Sequence, residues 1–182
     1  GNGPGASSDA SCEPCGRGTY SADPGASSRS TCSQCPAGTF ADRAGATNCT
    51  ACPLGKYSGT VGAGEASACS PCPAGATTES SAAVSSSQCL TCAPGKYTGD
   101  GGGCVDCPQG TYSAIAGATS LANCTMCEPG KFSVVLGSVS AGSCMECFPG
   151  TYSSEPGASG CTQCPQGKFG DAVGAATPLA CV

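Results

Sequence analysis

Nineteen cysteines carry the most reactive side chains of this chain, and they are regularly spaced. Nine C-x-x-C pairs start at Cys12, Cys32, Cys49, Cys69, Cys89, Cys104, Cys124, Cys144 and Cys161, and Cys181 opens a tenth. Three chemistries use such pairs. Two pairs joined by a loop of this length can complete a zinc tetrahedron with four thiolates. One pair can cycle between dithiol and disulfide when a helix N-terminus lowers a thiol pKa. Many pairs can hold structural disulfides. Tandem zinc modules usually present a basic or aromatic working surface, and none is written here. Gly and Pro follow most pairs, as at Cys35-Pro36 and Cys72-Pro73, which disfavours the helix that a redox centre needs. Structural disulfides are the expected state, and the spacing alone does not fix which cysteine meets which.

Other chemistry is sparse. The chain has no His, and no nucleophile, base or carboxylate pair recurs in a plausible arrangement, so the sequence reads as no enzyme and implies no metal and no cofactor. The twelve acids, Asp23, Asp42 and Asp171 among them, form no calcium loop and read as solvated surface. Asn48-Cys49-Thr50 and Asn123-Cys124-Thr125 are N-glycosylation sequons, each placed directly before the first cysteine of a pair. The net charge of -5, with seven basic residues spread along the chain, leaves no footprint for nucleic acid or an anionic membrane surface. No apolar run approaches the roughly 20 residues that span a bilayer, and no signal peptide is visible. The chain opens at Gly1 and stops one residue past Cys181, so it is expected to be a segment of a longer protein.

Composition says what must position the cysteines. With no Trp, 5 Tyr, 4 Phe and 29 Gly, large apolar side chains are too scarce to carry the fold, and about one residue in ten is Cys. Such cysteine use persists mainly in oxidising compartments, which points to the secretory route and an extracellular or cell-surface location. From one pair to the next the intervals are 20, 17, 20, 20, 15, 20, 20, 17 and 20 residues, the signature of a repeat array. Residues 1–11 read as the tail of a preceding repeat, with Gly5-Ala6 at its turn, and 12–182 as nine tandem repeats.

Within each repeat a glycine stands three positions after the second cysteine, as at Gly38 and Gly95. That regularity implies a positive φ or a backbone approach too close for a Cβ. Two residues later comes an aromatic in every repeat except one, where Thr77 stands, and between them sits Thr or Lys, with Ala76 the exception. Alternation along a strand puts the aromatic inward, as filler against the disulfides, and the Lys or Thr outward. Phe148, the one aromatic off this column, is expected at the surface as a possible contact. A Gly-Ala turn follows at Gly25, Gly45, Gly62, Gly117, Gly157 and Gly174, and the shorter repeats lose residues only between the aromatic and the next cysteine. The serine- and alanine-rich stretch 80–87 is the candidate for a looser joint. One disulfide is too little to order one repeat, so neighbours must stack in a quasi-one-dimensional array. The expected fold class is small and disulfide-rich: an elongated tandem array of short irregular β-hairpins with little regular secondary structure and almost no helix.

The string C-x-x-C-P-x-G-T-aromatic, as in Cys32 to Phe40 and Cys104 to Ser113, resembles the cysteine-rich repeats of ephrin-receptor-like type, and more distantly the first half-module of tumour necrosis factor receptor repeats. The resemblance covers essentially the whole chain. Departures are Gly16 in place of the first proline, Pro94, Pro129 and Pro149 displaced by one, and Thr77 in place of the aromatic. The differently bonded second half-module of the receptor repeats is absent. Among the open connectivities, the expected one is a ladder, which the resemblance also implies: Cys15 to Cys32, Cys35 to Cys49, Cys52 to Cys69, Cys72 to Cys89, Cys92 to Cys104, Cys107 to Cys124, Cys127 to Cys144, Cys147 to Cys161 and Cys164 to Cys181. Cys12 is left to pair upstream. Long uniform runs are similar to those in large surface proteins of protists and algae, which implies a structural rod or stalk in a filament, fibre or coat, partnered by itself or by neighbouring structural proteins and carrying covalent glycans. A ligand-binding receptor or adhesion ectodomain is the alternative.

Overall fold

In the computed structural model, residues 13–23 and 28–182 are described. The Gly5-Ala6 tail, Cys12 and Gly25 lie outside them. Among the described residues there is no α-helix; the chain is built from short antiparallel strand pairs, six three-residue 3-10 turns and nine disulfides in tandem. It forms a small disulfide-rich repeat array.

Each pair joins the strand after one turn glycine to the residues inside the next C-x-x-C. Strand β1 (Thr19–Tyr20) pairs with β2 (Ser33–Gln34), β3 (Thr39–Phe40) with β4 (Thr50–Ala51), and β5 (Lys56–Tyr57) with β6 (Ser70–Pro71). β7 (Ala76–Thr78) and β8 (Cys89–Thr91) form the next two-stranded sheet. Then β9 (Lys96–Thr98) pairs with β10 (Cys104–Asp106), β11 (Thr111–Tyr112) with β12 (Thr125–Met126), β13 (Lys131–Phe132) with β14 (Met145–Glu146), and β15 (Thr151–Tyr152) with β16 (Thr162–Gln163). Strands of two or three residues cannot stand alone.

A tight turn precedes each first strand. The Thr39 amide donates to Pro36 O at 3.1 Å, and Gly38 takes φ +81° at the third turn position, as a type II turn requires. The displaced prolines follow from the same turn. The amides of Lys96, Lys131 and Thr151 donate to the oxygens of Ala93, Glu128 and Phe148, which puts Pro94, Pro129 and Pro149 second in their turns, where type II geometry favours proline.

The contacts divide the chain into two compact units. One takes the chain up to Cys72 together with Thr78–Cys89, and the other takes Pro73–Thr77 together with Leu90–Val182. Inside each unit the repeats interlock through the backbone. In the first, the amides of Gly45, Gly62 and Ala82 donate to the carbonyls of Cys15, Cys35 and Cys52, one repeat back. In the second, those of Gly117, Gly137, Gly157 and Gly174 donate to Cys92, Cys107, Cys127 and Cys147 at 2.8 Å. The same turns also reach two repeats back. Gly38 lies against the Ala82 backbone, Gly95 against Gly137 and Gly130 against Gly174, so closely that an added Cβ would overlap a carbonyl oxygen.

Burial follows the expected faces of the strand only in part: Phe40 packs against Cys52 and Cys69 as filler should. Only Phe40 of the aromatic column is buried; Tyr57, Tyr97, Tyr112, Phe132 and Tyr152 are half-buried, and Phe169 is exposed. The inward side chain is the small residue one position on: Ala41, Ser58, Thr78, Ser113, Ser133 and Ser153 are all buried. The reason is the stacking distance. The amides of Ser58, Ser113 and Ser133 bond the carbonyls of Ala83, Ser138 and Ala158 in the following turn at 2.9–3.1 Å, and no ring fits between backbones that close. The Lys or Thr slot is mixed rather than outward throughout, with Lys56 exposed and Thr111 buried. The stretch 80–87, expected to be loose, carries the Ala82 turn and a 3-10 turn capped by Ser85 and Gln88.

Candidate functional site

The cysteines dominate the buried surface. Bonds join Cys15–Cys32, Cys35–Cys49, Cys52–Cys69, Cys72–Cys89, Cys92–Cys104, Cys107–Cys124, Cys127–Cys144, Cys147–Cys161 and Cys164–Cys181, with Cα atoms 5.6–5.8 Å apart. These separations lie in the ordinary disulfide range. Each bond closes 12 to 17 residues, and each leaves only the two residues inside a C-x-x-C between itself and the next. Cys35, Cys52, Cys107 and Cys147 are completely buried. Their amides donate to the turn glycine carbonyl of the preceding repeat, as Cys107 does to Gly95 at 2.8 Å, so covalent and hydrogen-bonded ties fasten the same point. With these sulfurs bonded to each other, neither a zinc-binding thiolate nor a redox dithiol is on offer among them.

Polar chemistry at the surface is thin. Lys96 pairs with Asp106 at 2.6 Å across β9 and β10, and Lys131 with Glu128 at 3.7 Å one turn away; both pairs are solvent-facing and worth little in stability. Asp23, Asp42 and Asp171 are exposed. Asn48 is exposed at the edge of an open depression of about 500 Å³ lined also by Phe40, Asp42, Arg43 and Thr47. Asn123 is half-buried at the end of the 3-10 turn Leu121–Asn123.

Apolar side chains reach solvent more than the sequence reading allowed. Val134, Val135 and Leu136 stand together in one loop at 51–60 % exposure, and the exposed Phe148 meets Phe132 edge to face with centroids 6.2 Å apart. The run of three apolar residues before Gly137 was visible in the sequence. The Gly-Ala pattern does not mark it, nor does that pattern mark the turn positions of Ala82 and Gly137, neither of which opens a Gly-Ala pair.

A family model described as "Tyrosine-protein kinase ephrin type A/B receptor-like" matches residues 5–48, 25–69 and 48–89 in overlapping copies and 137–181 separately, together more than half of the chain. Residues 90–136 fall outside the matches, yet they contain the same turns, strand pairs and disulfides. No curated protein matches the chain.

Proposed function

Because the chain belongs to the family of ephrin type A/B receptor-like cysteine-rich repeats, we propose that it is an extracellular, non-enzymatic structural segment: a rod or stalk element of a surface filament, fibre or coat, associating with itself or with neighbouring structural proteins. The observation that carries this reading is the interlock, in which turns within each unit dock on the repeats before them through backbone groups, as Gly62 does on Cys35 and Gly18 and Gly137 does on Cys107 and Gly95. Backbone contacts of this kind repeat without regard to side chains and stack neighbouring repeats in a quasi-one-dimensional array. No loop carries a large insertion, and binding sites usually reside in loop variation. The kinase in the family description belongs to those receptors and is not carried over.

The ligand-binding ectodomain is the second reading, favoured by the exposed Val134, Val135, Leu136 and Phe148. Electron microscopy of native extracellular material labelled with an antibody to this segment separates the two. Label running along continuous filaments or a coat is the expected result. Label on discrete monomers that retain a soluble protein ligand through gel filtration would replace the first reading by the second.

A further inference from the structure

The two sequons are not equivalent in the folded chain, and we infer that Asn48 is the N-glycan acceptor while Asn123 is a structural cap. Asn123 closes a repeat of 20 residues, whose return to the next cysteine is a 3-10 turn. Its Oδ1 accepts from the amides of Thr119 at 3.0 Å and Ser120 at 3.2 Å, and from Thr119 Oγ1 at 3.5 Å. Gln88 does the same work at the same place before Cys89, where its Oε1 accepts from the amides of Val84 at 2.7 Å and Ser85 at 3.3 Å. A side-chain amide there serves the turn, and the cap holds the half-buried Asn123 side chain against its own backbone.

Asn48 closes one of the 17-residue repeats, which lose this 3-10 turn. Its side chain is exposed and makes no hydrogen bond to the described residues, and the open depression beside it, lined by Asp42, Arg43 and Thr47, has room for a first sugar ring. Thr50, the hydroxyl residue of its sequon, is exposed on β4.

The donor is a polyprenyl diphosphate-linked oligosaccharide of the secretory pathway. Asn48 Nδ2 bonds to the anomeric carbon of the donor's N-acetylglucosamine, the bond from that carbon to the diphosphate oxygen breaks, and polyprenyl diphosphate leaves with the electron pair. Nδ2 gives up one proton, and nothing is oxidised or reduced.

The test is the chain secreted from a eukaryotic host beside a sequon-bearing reporter protein that becomes glycosylated, digested with peptide N-glycosidase in heavy-oxygen water and mapped by mass spectrometry. The expected result is heavy-oxygen aspartate at position 48 and unmodified asparagine at 123. N48Q and T50A each lose the same single step in gel mobility, and N123Q loses none. A glycan on Asn123, or an unmodified Asn48 when the reporter is glycosylated, overturns the inference.

Discussion

Ala82 is the only described residue other than glycine with a positive φ, 62°, and it occupies the turn slot that Gly45, Gly62 and Gly117 fill elsewhere. The left-handed region costs a residue with a Cβ roughly 1–2 kcal/mol. Glycine's extra freedom in the unfolded chain returns about 0.4–1 kcal/mol of that. Ala82→Gly is therefore expected to raise the stability of the oxidised protein by about 0.5–1 kcal/mol, read as a higher urea midpoint; a lower midpoint would show that the Ala82 methyl packs better than its backbone suffers. Residue types at single positions were only partly legible. Gly38 and its counterparts stood out because turn geometry and close approach both demand them. The burial of Ser113 and Ser133 did not, because serine is ordinarily a surface residue and its place here depends on how close the next turn lies, a distance no local pattern encodes.

Hairpins and their staples were the most legible level. The C-x-x-C period, the turn glycine and the aromatic mark one strand pair per repeat, and the sites of length variation mark the return. Repeats of 20 residues carry a 3-10 turn before the next cysteine, while those of 17 and 15 do not, so loss of residues deletes one local element and spares the strand pair. What the pattern could not give was the partner of each Gly-Ala turn. The turn looks like the tip of its own repeat, yet turns such as Gly62 and Gly137 contact the two repeats before them. Replacing Cys107 and Cys124 together by serine removes a bond spanning 17 residues, which is worth about 3 kcal/mol in the chain-entropy model. The expected outcome is loss of hydrogen-exchange protection at the amides of Thr111–Tyr112 and Thr125–Met126, with new protease cleavage between positions 107 and 124. Unchanged protection there would mean that the backbone interlock holds that pair without its staple.

The molecule has little else to fall back on. Phe40 is the only buried aromatic among the described residues, and the rest of the buried apolar set is cysteine and alanine. Small side chains bury little area each, so the hydrophobic contribution that holds an ordinary domain of this length together is small here. Full reduction without denaturant is expected to abolish the far-ultraviolet circular dichroism of the folded form and its protease resistance, whereas a metal chelator leaves both unchanged. A reduced chain that kept its resistance would show that hydrogen bonds and packing suffice.

The succession of staples also sets how far the chain can be drawn out. A taut path through the oxidised chain runs along a C-x-x-C, across a sulfur–sulfur bond of 5.6 Å between Cα atoms, and into the next C-x-x-C, so it skips every loop. Three extended residue steps plus that crossing come to about 17 Å per repeat, against about 70 Å for 20 extended residues. Tension on the oxidised protein can therefore draw out no more than about 17 Å per repeat, and the remaining slack stays locked in side loops until a thiol reagent releases it.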